Sequence, residues 1–313
     1  AVPTSLAMYV HPLADLAEDA FTVSGEFGLA KDGRAAVTVF WGASYYLSDL
    51  CLMDLPPMCL NAFRFIVAFI VLGIIFFKKL LQLNRATLRY SLLVGLALSG
   101  TYIFYGYGLL YTSITNAGFI CALPVVFTPL FAFFIHRTKP DRKLLLCLVM
   151  CAVGLALLTL NDDFRPALGD ILCMGVPVCY AIDLLLTEKA VQNPEVDAIG
   201  LGVCQLAVVG IVTLVLSLLL EQPHLPTSPV TWGAALFLGL FCTGIAFVIQ
   251  SVQQQYTSAS HVGLIFTLEP VFSAIVAYFF ADERLLPRGY VGMVLMLLSL
   301  VLMELELPLK RKQ

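Results

Sequence analysis

The chain has 313 residues, of which 60% are hydrophobic and 12% charged, with a formal net charge of −3. That balance excludes a soluble globular domain, and with so few basic residues it excludes a nucleic-acid-binding surface. A chain of this composition is an integral membrane protein.

Residues 1–34 form an acidic stretch without the basic start of a signal peptide, and they read as an atypical or disordered extension. Beyond it, apolar stretches of about 20 residues recur, the length that crosses a hydrocarbon core of about 30 Å. The predicted spans are Ala35 to Cys51, Pro57 to Phe77, Tyr90 to Tyr111, Thr115 to Ile135, Leu144 to Leu160, Leu168 to Thr187, Ala198 to Leu220, Val230 to Ser251, Ser258 to Ala281 and Gly289 to Leu305. The expected fold class is therefore all-α, with ten transmembrane helices. Connections such as "MDLPP", "QNPEVD" and "EQPHLPTSP" are short and carry turn residues, so no loop holds a separate soluble domain.

Basic residues set the expected orientation, because Lys and Arg in short loops stay on the cytoplasmic side. Twelve of them, including Lys78, Lys79, Arg137, Lys139, Lys189 and the tail at 306–313, fall in loops on one side, against Arg165, Arg284 and Arg288 on the other. Both termini are then cytoplasmic. The nine cysteines include no CxxC pair and read as small packing residues, with no metal or cofactor expected.

An internal repeat carries the most information. A shift of 145 residues lays "TSITNAGFICALPVVFTPLFAFF" on "TSASHVGLIFTLEPVFSAIVAYF" without a gap, and nine of 23 positions are identical. The halves are residues 35–160 and 168–305. Five spans per half is an odd number, so the halves are inverted repeats, a transporter architecture with a site expected near the midplane between them.

"FWGASYYL" in span one, "NAFRFIVA" in span two, "NAGFICALPVVFTPLFAFF" in span four and "LEPVFSAIVAYFFADERL" across span nine together resemble the EamA family of the drug/metabolite transporter superfamily. The resemblance implies a permease of a bacterial inner membrane or plasma membrane. Such permeases often export amino acids or related small metabolites by alternating access through a central cavity. The expected partners are the lipid bilayer, a small-molecule substrate and, as an option, a second copy in a homodimer.

Glu269 sits mid-span beside Pro270, and an ionisable group at membrane depth is a functional candidate by default. It contacts a cationic part of the substrate, takes up a proton, or serves as a structural carboxyl. Pro270 should leave the Phe266 carbonyl without a helical partner, and Pro124 superposes on Glu269, so both spans should break at one depth. Arg64 in span two reads first as structural, snorkelling outward or bonding backbone carbonyls, with a substrate carboxylate as the alternative.

Trp41, Tyr45 and Tyr180 are candidates to line a cavity, and Gln205 and Gln250 add neutral hydrogen-bonding capacity. Asp183 is a candidate counter-charge, while His261 and Asn116, equivalent by repeat, read more readily as satisfied polar groups than as proton relays. Gly95, Gly100, Gly106, Gly108, Gly239 and Gly244 are expected at close helix crossings. No GxSG with a partnered His, GxGD, HExxH or phosphate-binding loop occurs, so an enzyme is not expected. A channel, receptor or sensor remains the alternative class.

Overall fold

A computed structural model describes residues 29–112, 114–136, 142–159, 168–260, 262, 269–280 and 287–304. The described residues contain helices and turns and no strand. In chain order the helices are α1 Leu29–Leu52, α2 Pro57–Ile75, the short α3 Phe77–Leu80, α4 Arg85–Leu109, α5 Ile114–Cys121, α6 Pro124–His136 and α7 Arg142–Thr159. They continue with α8 Leu168–Cys173, α9 Gly175–Val191, α10 Ala198–Leu220, α11 Pro229–Phe237, α12 Ala246–Gln253, α13 Glu269–Phe280 and α14 Pro287–Glu304. A π-helical segment, Leu238–Ile245, joins α11 to α12.

Five helical stretches, Pro57–Ile75, Arg85–Leu109, Leu168–Val191, Ala198–Leu220 and Pro229–Gln253, are long and apolar enough to cross a membrane. Their outer faces are apolar at helical spacing, as at Leu88, Leu92 and Leu96 of α4 and Ile211, Val215 and Leu218 of α10, all exposed. Water would penalise such faces, whereas lipid is their natural solvent.

With no hydrophobic force between helices in lipid, close packing must hold them, and small residues supply it. A Cβ on Gly95 of α4 would stand 2.6 Å from the Cβ of Val208 on α10, and one on Gly154 of α7 would stand 2.7 Å from the Gly292 carbonyl oxygen of α14. The predicted glycines Gly100, Gly106, Gly108, Gly239 and Gly244 also meet neighbouring helices.

Side chains close the helix ends. Pro57 opens α2, and the carboxylate of Glu221, at the end of α10, accepts from the backbone amides of Met58 and Cys59 at 3.0 and 2.9 Å. That puts a negative charge on the positive end of α2. At the opposite end of the bundle, Lys79 meets Asp197 at 3.9 Å and Asn84 bonds the Glu195 carbonyl.

Several sequence expectations change. α1 begins at Leu29, not at Ala35, so helix runs through Arg34. Pro124 does not interrupt a running helix: it is the first residue of α6, where a missing amide proton costs nothing. Pro270 lies in α13, and residues 263–268 ahead of it, Phe266 among them, lie outside the described residues. Further breaks fall at Met174, between α8 and α9, where Pro177 leaves the Cys173 carbonyl without its helical donor, and at the π-helical segment, where no proline marks it.

Asp54, in the loop after α1, accepts from the Thr227 amide at 2.8 Å and the Thr227 hydroxyl at 2.7 Å. These bonds hold its carboxyl below the ordinary aspartate range. A group with a depressed folded-state value stabilises above its unfolded pKa, about 3.9 for Asp, and loses that contribution as pH falls through the folded value. Asp54→Asn should therefore lower the thermal midpoint at neutral pH, and the gap to the parent protein should close on acidification.

Candidate functional site

Helices from both halves of the chain meet around one cavity of about 60 Å³, room for a few waters. Trp41, Tyr45, Arg64, Tyr180 and Glu269, chosen from sequence, all line it. Tyr102, Tyr105, Cys121 and Phe247 complete much of the wall.

Gly42 brings the acid into place. A Cβ there would lie 2.8 Å from the Ser273 amide nitrogen and 3.0 Å from the Glu269 carbonyl oxygen, so only glycine lets α13 cross α1 this closely. One turn along α1, the Tyr45 hydroxyl faces the Glu269 carboxyl across the same cavity. The Tyr45 ring in turn meets Tyr105 edge-on at 5.6 Å.

Arg64 is 1% exposed, so it neither snorkels outward nor reaches solvent. Its Nε donates to the Thr243 hydroxyl at 2.7 Å, and its guanidinium carbon stands 5.1 Å from the Tyr102 ring centroid. A cation over a ring face at this distance is attracted by the ring quadrupole. No ion pair joins Arg64 to Glu269 or Asp183. The cavity therefore presents a cation and an acid at separate places, held by neutral partners.

Trp41 ties the wall to the π-helical segment. Its Nε1 donates to the Cys242 carbonyl at 2.9 Å, while its ring packs on Phe247 at 5.4 Å and edge-on to Tyr180 at 6.0 Å. The Tyr180 hydroxyl donates to Gln250 Oε1 at 3.1 Å, which places Gln250 behind the wall. Gln205 bonds Ser251 at 3.3 Å and joins α10 to α12 away from the cavity lining. Asp183 is fully buried one turn beyond Tyr180 and does not answer Arg64; the Gln250 amide lies beside it without closing a hydrogen bond of ordinary geometry. His261 lies outside the described residues, as does the side chain of Asn116.

Thr243, the Cys242 carbonyl and Phe247 are site components that the sequence did not single out. The run "LGLFCTGIAF" has no proline or charge to announce a π-helical turn, and Thr243 alone could have suggested a polar contact.

The EamA-like transporter family model matches residues 35–160 and 167–305. The chain belongs to that family. It is, with its relatives, a multi-pass membrane transporter of the drug/metabolite type. It is similar to an uncharacterized transporter of Archaeoglobus fulgidus, 25% identical over 276 residues that cover 88% of this chain and 85% of the relative. The uncharacterized transporter YyaM of Bacillus subtilis is 26% identical, covering 77% of this chain and 82% of its own. A solved crystal structure superposes with TM-score 0.71 at 18% identity over 88% of this chain and 96% of its own, which shows a shared fold.

Two substitutions test this geometry. Gly42→Ala should push α13 off α1 and lower the thermal midpoint markedly, because the atoms it meets are backbone and cannot yield. Trp41→Phe keeps an aromatic ring but loses the pyrrole ring that donates to the Cys242 carbonyl, and should cost at least about 1 kcal/mol in unfolding free energy.

Proposed function

We propose that this EamA-like protein is a secondary transporter that exports a small metabolite, such as an amino acid, by alternating access. It has ten spans in two inverted five-helix halves, residues 35–160 and 168–305. The packing supports the two-fold arrangement. α1 lies on α13 as α9 lies on α6, α4 lies on α9 as α1 lies on α12, α2 packs on α10, and α7 packs on α14. Each contact pairs one half with the other.

The observation that carries the reading is the pair of opposite charges, Arg64 and Glu269, facing one small cavity without neutralising each other. A zwitterion with a carboxylate for Arg64 and an ammonium for Glu269 would complete both, with the aromatic wall taking its apolar part. In a cycle of this kind Glu269 holds either the substrate cation or a proton, exchanging them through Tyr45. A cavity this small cannot admit a metabolite as it stands, so loading requires the halves to move.

The sequence contains no ATP-binding motif, and the proposed energy source is an ion or solute gradient. The basic bias of the loops supports an orientation with both termini cytoplasmic, and membership of the family supports a bacterial inner membrane location. In agreement with one side for those loops, Lys79 of the connection after α2 meets Asp197 of the connection after α9.

The test is counterflow of a panel of labelled L-amino acids in proteoliposomes. Glu269→Gln should insert and fold but lose transport or its pH dependence. Unchanged rates and pH dependence in that variant would remove Glu269 from the mechanism, and single-channel currents from the parent protein would replace a carrier with a pore.

A further inference from the structure

Behind the cavity, α9 and α12 face each other along a second polar seam. On α9, Tyr180, Asp183, Leu184 and Thr187 lie on one face at helical spacing; on the facing segment, Gln250, Gln253 and Gln254 do the same. The two sides are cross-linked twice, by the Tyr180 hydroxyl on Gln250 and by Gln254 Nε2 on the Leu184 carbonyl at 3.0 Å.

Several buried atoms of the seam have no hydrogen-bond partner: both carboxyl oxygens of Asp183, Oγ1 of Thr187, and Oε1 of Gln253 and Gln254. All of these atoms are oxygens. Asp183 and Thr187 are 0% and 1% exposed, and Gln253 and Gln254 are 3% and 1% exposed. A buried carboxylate without donors is among the costliest arrangements in a low-dielectric interior, and it persists only with a compensating positive charge. The carboxyl and amide oxygens are acceptors alone, and the Thr187 hydroxyl can supply one proton to the set, so a carboxylate among them calls for a cation.

The ionisable groups on neighbouring elements do not supply that charge. α12 carries none. Between the Gly100–Cys179 contact and the cluster that joins Val94 to Ala190, residues 95–99 of α4 include none. Tyr102 and Tyr105 of α4, Cys121 of α5 and Glu269 of α13 belong to the cavity, as does Tyr180 on α9 itself. Cys173 of α8 stands against Gly108 of α4, and the ionisable residue of α6 is His136 at its last position.

We propose that Asp183 anchors a monovalent-cation site of its own between α9 and α12, distinct from the Arg64–Glu269 cavity, with Thr187 and Gln254 as further oxygen donors. The cation is a proton or a sodium ion, which share the required chemistry of one positive charge on a dehydrated carboxylate. Loading neutralises Asp183 and lets α9 and α12 close; unloading leaves a charge that the seam cannot solvate and drives the two helices apart. Tyr180, bonded across the seam to Gln250, carries that movement into the cavity wall. This role in coupling rests on the transporter reading, whereas cation binding does not.

Binding is therefore measured on the purified full-length chain without substrate. If the cation is a proton, infrared spectra in choline chloride should show the carbonyl band of a weakly hydrogen-bonded carboxylic acid, which fades as pH rises and is absent from Asp183→Asn. If it is sodium, the thermal midpoint should rise in sodium chloride over choline chloride at equal ionic strength, with the rise lost in Asp183→Asn and reduced in Thr187→Val. Asp183→Asn matching the parent protein in both band and sodium response overturns the proposal. Should that variant fail to fold, Asp183→Glu decides: a shifted acid band or an altered sodium response supports the site, and neither change overturns it. Absence of counterflow in the parent protein would refute the transporter reading while leaving these binding signals standing.

Discussion

In lipid, a backbone amide or carbonyl released from a helix must find its partner inside the protein, and this requirement organises the whole molecule. The helix interruptions are not scattered. The turn at Ala122 and Leu123, the break at Met174 and the π-helical segment at Leu238–Ile245 come from both halves of the chain, and each adjoins an element that lines the cavity, α5 through Cys121, α9 through Val176 and Tyr180, and α12 through Phe247. Where the backbone opens, a side chain answers it, as Trp41 answers Cys242. The cavity is thus built from the same irregularities that would be forbidden on the lipid-facing surface.

Close approach of helices does the rest. Gly42 admits α13 against α1, Gly95 admits α10 against α4, and Gly108 receives Cys173. Each glycine trades side-chain volume for backbone proximity, and in doing so places polar groups within reach of one another, Glu269 beside Tyr45 foremost. The ends of the bundle are held differently: Glu221 caps α2, and Asp54 clamps Thr227. The middle is fixed by packing and the rims by hydrogen bonds.

Much of this was legible in the sequence, because a membrane leaves few alternatives to a helix and the hydrophobic period marks each one. The helices at Pro57–Ile75 and Ala198–Leu220 start where the apolar runs start. The repeat located the break at Pro124, but it did not show that Pro124 begins a helix instead of bending one, since a proline fits either place. Glu269 and Arg64 stood out because charges are rare at membrane depth. Thr243 and the π-helical segment did not, because a change from i+4 to i+5 bonding leaves no mark in residue types. Asp183 was visible as a charge, but its isolation depends on which face of α9 meets α12, and that is a tertiary fact.

The π-helical turn also bears on descent. Each such turn holds one residue more than an α-helical turn, and α12 follows it with Phe247 and Gln250 aimed at the cavity wall and its backing. If the two halves arose from a duplicated ancestor, the span holding this turn and its counterpart α4 have kept the same length, 25 residues each, and only the former has widened. Rewinding the turn as α-helix would rotate Phe247 and Gln250 away from the aromatic wall.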